Sequence, residues 1–359
     1  MTLTCDLFCR VVDNLGDAGV CWRLGWQLAR EHAWSMRLWI DDLAPLAALR
    51  PGVDPALTQQ TIDGVAIHRW TADFPDVLPG DVVVEAFACE LPAGFLVAMA
   101  AKPRLPVWLN LEYLSAEEWV VGCHGLPSPH PTLPLAKYFF FPGFVPGTGG
   151  LIRDASLPVP KRQTPSRELR ISLFCYDNPA LPGLLDAWAS GTTAMVCRVA
   201  DGLARSQVER WLGVSFPVDT KLQRGNLKLV ALPFLSQEQY DQLLLDCDLN
   251  FVRGEDSFVR AQFAIRAFVW QAYPQDGNAQ WLKLDAFLDR YTRSLPTAER
   301  NAVVTFWRAW NGRGDINVAW AAFLDAIPRL KAHGAKWSAQ IAEHGNLAEN
   351  LVRFSQERL

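Results

Sequence analysis

Two short stretches of the chain combine residue types that could act on a substrate. The first is Asp13-Asn14-Leu15-Gly16-Asp17-Ala18-Gly19, with two carboxylates in one turn. A loop that cradles a pyrophosphate presents glycine and backbone N–H groups and keeps acids away, because a carboxylate repels the phosphate. This loop is not a G-x-G-x-x-G fingerprint, so its chemistry concerns a cation or a proton. Asp17 stands where a helix begins, and the positive end of the helix dipole favours a negative charge there. It is a candidate to accept a proton or orient a positive acceptor, and Asn14 and Gly16 share that acceptor-side turn. The same residues also have an ordinary account, Asp17 as a helix cap and Asp13 as a turn former.

The second stretch, Arg253-Gly254-Glu255-Asp256-Ser257-Phe258, reverses the charge logic. Arg253 supplies a fork of donors for phosphate oxygens, and Gly254 permits close backbone approach. Ser257 and the first N–H groups of the following helix offer an anion site. Glu255 could accept hydrogen bonds from sugar hydroxyls, or serve only as a first-turn acid, with Asp256 or Ser257 as the cap. Weaker candidates also follow apolar runs: Phe174 and Tyr176 as aromatic flanks for a base or sugar, then Gln237 and Tyr273. Asn110, Glu112 and Tyr113 hold a similar position in the first half.

The elements that must position these residues are legible as alternation. In the first half, TCDLFCRVV (4–12), MRLWID (36–41), VAIHRW (65–70), DVVVEAFA (81–88), LPVWLNL (105–111) and KYFFFPGF (137–144) read as buried strands. A helix is expected from Asp17 to His32. Gly, Pro, Ser and Thr dominate from Pro146 to Arg167, as in a linker. A second series follows with LRISLFCY (169–176), TAMVCRV (193–199), LKLVALPF (227–234), LNFVRG (249–254) and AFVWQAYP (267–274). Helical patterns at 236–247 and 256–268 interrupt it, and the tail from Ala279 is nearly all helical.

This pattern predicts an α/β chain of two Rossmann-like domains facing a central cleft, with functional residues at the carboxyl ends of strands. The expected boundaries are a first domain at 1–150, a linker at 151–168, a second domain at 169–335 and a helical tail at 336–359. That tail is expected to pack back on the first domain.

The 359 residues exceed what one core supports, and a half-hydrophobic composition suits globular domains. The 15 tryptophans read mainly as core anchors. A net charge of −4 with scattered Lys and Arg argues against a nucleic-acid partner. No run is long enough to span a bilayer and no basic n-region precedes the first apolar residues, so a cytoplasmic protein without a membrane partner is expected. The eight cysteines lack a C-x-x-C pair and read as reduced core residues, and Cys5 and Cys9 share a strand face without a histidine cluster. No hydrolase or P-loop motif is found, and His124 and His130 fall in a Pro-rich loop.

Taken together, DNxGDxGVxWRLxxxL at 13–28 and RGEDSFVRAQFA at 253–264 resemble the EarP family, the protein-arginine rhamnosyltransferases of elongation factor P. FCYDN (174–178), LPFLSQEQYDQLL (232–244) and WQAYPQ (270–275) extend the resemblance over essentially the whole chain. It implies a GT-B glycosyltransferase that moves L-rhamnose with inversion from TDP-β-L-rhamnose to an arginine nitrogen of elongation factor P. By the same resemblance Asp13 and Asp17 match an acidic pair, with Asp17 as general base, and Glu255 matches a third essential acid. Phe174, Tyr176, Gln237, Arg253, Asp256, Ser257 and Tyr273 match donor-site positions, and Gly254 joins them from the loop reading.

The two readings agree on charge. A guanidinium, protonated up to a pKa above about 12, is a poor nucleophile until hydrogen bonds orient it and its proton has an acceptor. Carboxylates suit that task, and Arg253 with helix N–H groups suits the departing diphosphate. No metal motif and no cofactor are expected, so the reaction is read as metal-independent. Two alternatives stay open: a GT-B transferase with another nucleotide sugar or acceptor, and a catalytically silent nucleotide- or protein-binding module.

Overall fold

The computed structural model describes residues 2–12, 15–155, 157, 167–274 and 279–359. The chain divides into two compact units, Met1–Leu157 with Ile341–Leu359, and Pro158–Gln340. Asp13 and Asn14, and most of the expected linker, lie outside the described residues.

In unit 1, β1 (Thr4–Cys9) is followed by α1 (Leu15–His32), β2 (Ser35–Ile40), α2 (Leu43–Leu49), β3 (Gln59–Ile62) and β4 (Val65–Arg69). Then come β5 (Val82–Ala86), α3 (Ala93–Ala100), β6 (Val107–Leu111), α4 (Trp119–Cys123), β7 (Pro127–Pro129) and β8 (Ala136–Phe140). The strands form one sheet in the order β3-β4-β2-β1-β5-β6-β8-β7. All interior pairings are parallel, and β3 and β7 close the edges as antiparallel strands. Apolar residues of α1 pack on one sheet face, where Leu7, Leu24, Leu28, Leu38 and Val84 meet in the core. A second core, on Phe8, Trp39, Val83, Phe95 and Met99, fills the other face.

Unit 2 contains β9 (Leu169–Leu173), α5 (Leu181–Ser190), β10 (Met195–Val199), α6 (Leu203–Leu212), β11 (Lys221–Arg224) and β12 (Leu227–Ala231). It continues with α7 (Gln237–Asp246), β13 (Leu249–Arg253), α8 (Asp256–Phe263), β14 (Ala267–Gln271), α9 (Ala279–Tyr291) and α10 (Thr297–Trp310). The sheet order is β11-β12-β10-β9-β13-β14, parallel except for the edge strand β11. The expected domain boundary at 335 falls inside α11 (Ile316–Ala342), and α12 (Leu347–Gln356) follows it. Leu347, Ala348 and Leu351 of α12 are buried in the core of unit 1.

Several sequence readings are corrected: the strands expected at 4–12, 137–144, 227–234 and 267–274 end at Cys9, Phe140, Ala231 and Gln271. The expected strand at 81–88 stops at Ala86, because Phe87 and Ala88 turn into left-handed conformations with φ +57° and +54°. The expected strand at 169–176 stops at Leu173; the Phe174 N–H makes a last bond to the Phe251 carbonyl at 3.1 Å, and the Tyr176 N–H turns to the Gln271 side chain. The helix expected to 268 ends at Phe263 and Ile265 turns with φ +54°, because Ala267–Gln271 pair with β13 instead. An apolar run of that length fits helix or strand alone, and strand pairing decides it. Most tryptophans are buried in the cores. Seven cysteines are buried and Cys123 is half-buried, all as free thiols. Burial pushes the Cys175 and Cys247 thiols up to about 12.

Candidate functional site

In each sheet the strand order reverses once. Unit 1 runs outward from β1 to β2 and β4, then returns to β5 on the other side of β1. Open parallel sheets bind ligands outside the carboxyl ends of their strands at such a reversal, where the flanking loops diverge. Most of the sequence-predicted site residues fall at these two edges.

At the unit 1 edge, Asp17 lies in the first turn of α1 and is 2% exposed. One carboxylate oxygen, Oδ2, accepts from the Val12 N–H at 2.9 Å and so closes the turn after β1. Asp41, just past β2, braces the same turn by accepting from the Val11 N–H at 2.9 Å. The Tyr113 hydroxyl, from the loop after β6 two strands along the edge, donates to Asp17 Oδ1 at 3.4 Å. Asp17 thus does the local work of a helix-start acid with one oxygen and directs the other towards the edge. Gly16 is half-buried in the same first turn.

The end of β6 supplies the rest of this edge. Asn110 is buried, accepts from the Ala88 N–H at 3.1 Å and donates to the Glu112 carboxylate. Its amide therefore fixes the left-handed turn after β5 and Glu112 together. The Tyr113 ring lies parallel to Phe87, with centroids 4.3 Å apart and planes at 13°. Phe87 and Asp41 escaped the sequence reading: nothing in Ala86-Phe87-Ala88 announces a left-handed bend, and an acid after a strand resembles any turn residue.

The unit 2 reversal lies between β9 and β13. Arg253 ends β13, and its guanidinium sits 4.3 Å from the Phe174 ring centroid and 4.5 Å from that of Tyr176. Nη1 donates to the Cys175 carbonyl at 3.4 Å. Two aromatic faces hold the guanidinium by its planes, which keeps the in-plane N–H groups oriented. Tyr273 meets Tyr176 edge-on at 5.3 Å and is 48% exposed.

Behind Arg253 the backbone bends at Gly254, whose φ of +61° favours glycine. The Trp270 indole donates to the Gly254 carbonyl at 2.8 Å and pins the bend. Ser257 is buried, and its hydroxyl donates to the Arg253 carbonyl, so the loop itself engages it. Glu255 precedes α8 and makes no side-chain cap bond to the helix. Gln237 opens α7 behind a Ser236–Gln239 capping box, and its amide donates to Asp256 Oδ2 at 3.2 Å. Deeper, Arg260 of α8 and Asp241 of α7 form a buried pair with contacts of 3.1 and 2.6 Å.

Unit 2 thus brings Phe174, Tyr176, Gln237, Arg253, Gly254, Glu255, Asp256, Ser257 and Tyr273 to one sheet edge. Unit 1 brings Asp17 together with Tyr113 and sets Asn110 and Glu112 beside it. His124 Nδ1 accepts from the Phe141 N–H just past β8, and His130 Nδ1 accepts from the Leu133 N–H in its own loop. Among the described residues no group of three or more His, Cys, Asp or Glu is placed to hold a metal ion, and no helix is long and apolar enough to cross a membrane.

Comparison with known proteins covers the whole chain. The family model for elongation factor P rhamnosyltransferase EarP matches residues 5–356. A protein-arginine rhamnosyltransferase of Pseudomonas putida is 45% identical over 378 residues, spanning 100% of both chains. A solved structure described as the basis for EarP-mediated arginine glycosylation of translation elongation factor EF-P superposes with a TM-score of 0.68, at 32% identity and 100% coverage of both chains. MurG of Acinetobacter baumannii, at 11% identity and a TM-score of 0.52 over 99% of this chain and 100% of its own, shares the fold alone.

Proposed function

This chain belongs to the EarP family of elongation factor P rhamnosyltransferases, and from that premise we propose how its own residues divide the reaction. It is a GT-B glycosyltransferase that rhamnosylates an arginine of elongation factor P. The donor is TDP-β-L-rhamnose, and transfer proceeds with inversion. The compartment is the cytoplasm, where a translation factor is met.

Asp17 is the general base. The observation that carries this role is its carboxylate: buried, fixed through Oδ2 to the Val12 N–H, with Oδ1 turned to the sheet edge. A carboxylate held at both oxygens, by the Val12 N–H and the Tyr113 hydroxyl, keeps a set direction, so little reorganisation is needed when the nucleophile arrives. The guanidinium nitrogen attacks C1 of the sugar, the bond from C1 to the diphosphate oxygen breaks, and Asp17 takes the nitrogen's proton. Asp13 is assigned to share the cation with Asp17, and Asn14 to assist on the acceptor side.

In unit 2, Arg253 stabilises the charge that develops on the departing TDP, with the first N–H groups of α8 behind it. Phe174, Tyr176 and Tyr273 provide aromatic surface for the thymidine and sugar. Gln237 and Asp256 form a hydrogen-bonded pair at the same edge, and Glu255 binds sugar hydroxyls. Gly254 lets the backbone come close, and Ser257 holds the loop in shape. These residues supply the needed charges themselves, so no metal or cofactor is assigned a role.

The test is intact mass of elongation factor P co-expressed with wild type or Asp17→Asn. Wild type adds one deoxyhexose, and Asp17→Asn lowers the rate by about 10²- to 10⁴-fold, the range for a lost general base. Melting temperatures stay close, since the amide preserves the shape. Unchanged transfer by Asp17→Asn removes the base assignment, and a preference for a UDP-sugar removes the donor assignment.

A further inference from the structure

We propose that the ring of Tyr113 is the platform on which the acceptor guanidinium lies, a role that rests on Asp17 being the base. Three observations converge on it. Tyr113 follows β6 at the edge, and its hydroxyl reaches Asp17 Oδ1 at 3.4 Å. Phe87 stacks on one face of the ring at 4.3 Å, and the residue is 39% exposed. A planar cation on that ring would lie beside the carboxylate that is to receive its proton.

The second observation is the backbone behind the stack. Phe87 and Ala88 both hold positive φ, an uncommon conformation for residues with side chains and a strained one for a bulky aromatic. The bend is enforced by the Phe87 N–H donating to the Leu111 carbonyl at 2.7 Å and by the Asn110 side chain on the Ala88 N–H. Strain that the surroundings over-determine in this way marks a position where side-chain placement matters. Here it sets a second aromatic ring flat against Tyr113 and prevents that ring from tilting.

The third lies in unit 2 of the same molecule. Arg253 rests on Phe174 and Tyr176 with centroid distances of 4.3 and 4.5 Å, so this chain already holds one guanidinium on aromatic faces. A guanidinium is planar and weakly hydrated and stacks on a ring while its in-plane N–H groups point at an oxygen. A lysine ammonium, compact and strongly hydrated, gains less from the ring. The ring on the face and the carboxylate at the edge together select arginine over lysine.

Acceptor kinetics at saturating donor separate this role from its neighbours. Tyr113→Leu raises the KM for elongation factor P by about tenfold, within the range of a partly desolvated cation–π contact. Tyr113→Phe keeps that KM within about twofold and lowers kcat, because the ring stays while the hydroxyl on Asp17 is lost. An unchanged KM in Tyr113→Leu, or an equal KM rise in both variants, overturns the platform. A measurement on wild type needs no variant to fold: butylguanidinium competes with elongation factor P at markedly lower concentration than butylammonium, and equal inhibition overturns the proposal. Loss of transfer in Asp17→Asn with a normal KM in Tyr113→Leu removes the platform alone, whereas full activity in Asp17→Asn removes the base beneath it.

Discussion

The two sheet reversals use similar parts to opposite ends. At the unit 2 edge a pair of aromatic rings holds a cation that the chain supplies, Arg253. At the unit 1 edge a pair of aromatic rings stacks on itself beside a carboxylate, Asp17. Both edges sit outside the carboxyl ends of parallel strands, so topology alone does not distinguish them. The residue at each turn does: an arginine ends β13 and an acid stands in the first turn of α1, and in the proposed reaction the first meets an anion and the second a cation. The fold fixes where a ligand goes, and a few side chains fix its sign.

That contrast can be broken most directly at Arg253. Arg253→Ala removes both the phosphate fork and the ring contacts, and donor KM is expected to rise with a fall in kcat that together lower kcat/KM by about 10²- to 10³-fold. Arg253→Lys recovers only part of this, because an ammonium cannot lie between Phe174 and Tyr176 as a plane does. Full recovery by lysine would mean that charge alone matters at this edge.

The frame beneath this edge gives a second effect, read in stability. Asp241→Ala leaves the Arg260 guanidinium buried without its carboxylate partner and is expected to cost about 3–5 kcal/mol of stability. Thermal or urea unfolding measures it. The unit 1 counterpart, Asp6 with Arg37, is half open on the arginine side and also accepts from the Trp39 indole and the Gly80 N–H. The smallest expected effect is that of a chelator. On the proposal that Arg253 and the start of α8 supply the positive charge for the leaving group, EDTA is expected to leave the rate unchanged, and a rate that collapses and returns with magnesium would overturn that reading.

Asp17 and Arg253 were legible in the sequence because each follows an apolar run and opens a helical pattern, the local signature of a strand-to-helix turn. The aromatic positions at 174 and 176 were legible for the same reason, although their strand ends earlier than its apolar run. Phe87 was not, since its conformation is imposed by Leu111 and Asn110 on the neighbouring strand. The strand from Ala267 was legible, but the end of α8 at Phe263 was not, because the left-handed turn at Ile265, φ +54°, leaves no mark in the helical pattern of 256–268. The short edge strands β3, β7 and β11 carry too few residues to show a period. What escaped sequence reading was whatever a distant segment decides.

The placement of α12 has a consequence for how the polypeptide reaches this state. Unit 1 begins with the first strand, yet Leu347, Ala348 and Leu351 fill part of its core, and Asn350 donates to the Gly149 carbonyl at 3.0 Å. Unit 2 is one uninterrupted segment and can close as soon as that segment has left the ribosome. The segment synthesised first therefore waits for residues translated after all of unit 2, and the order of completion runs opposite to the order of synthesis.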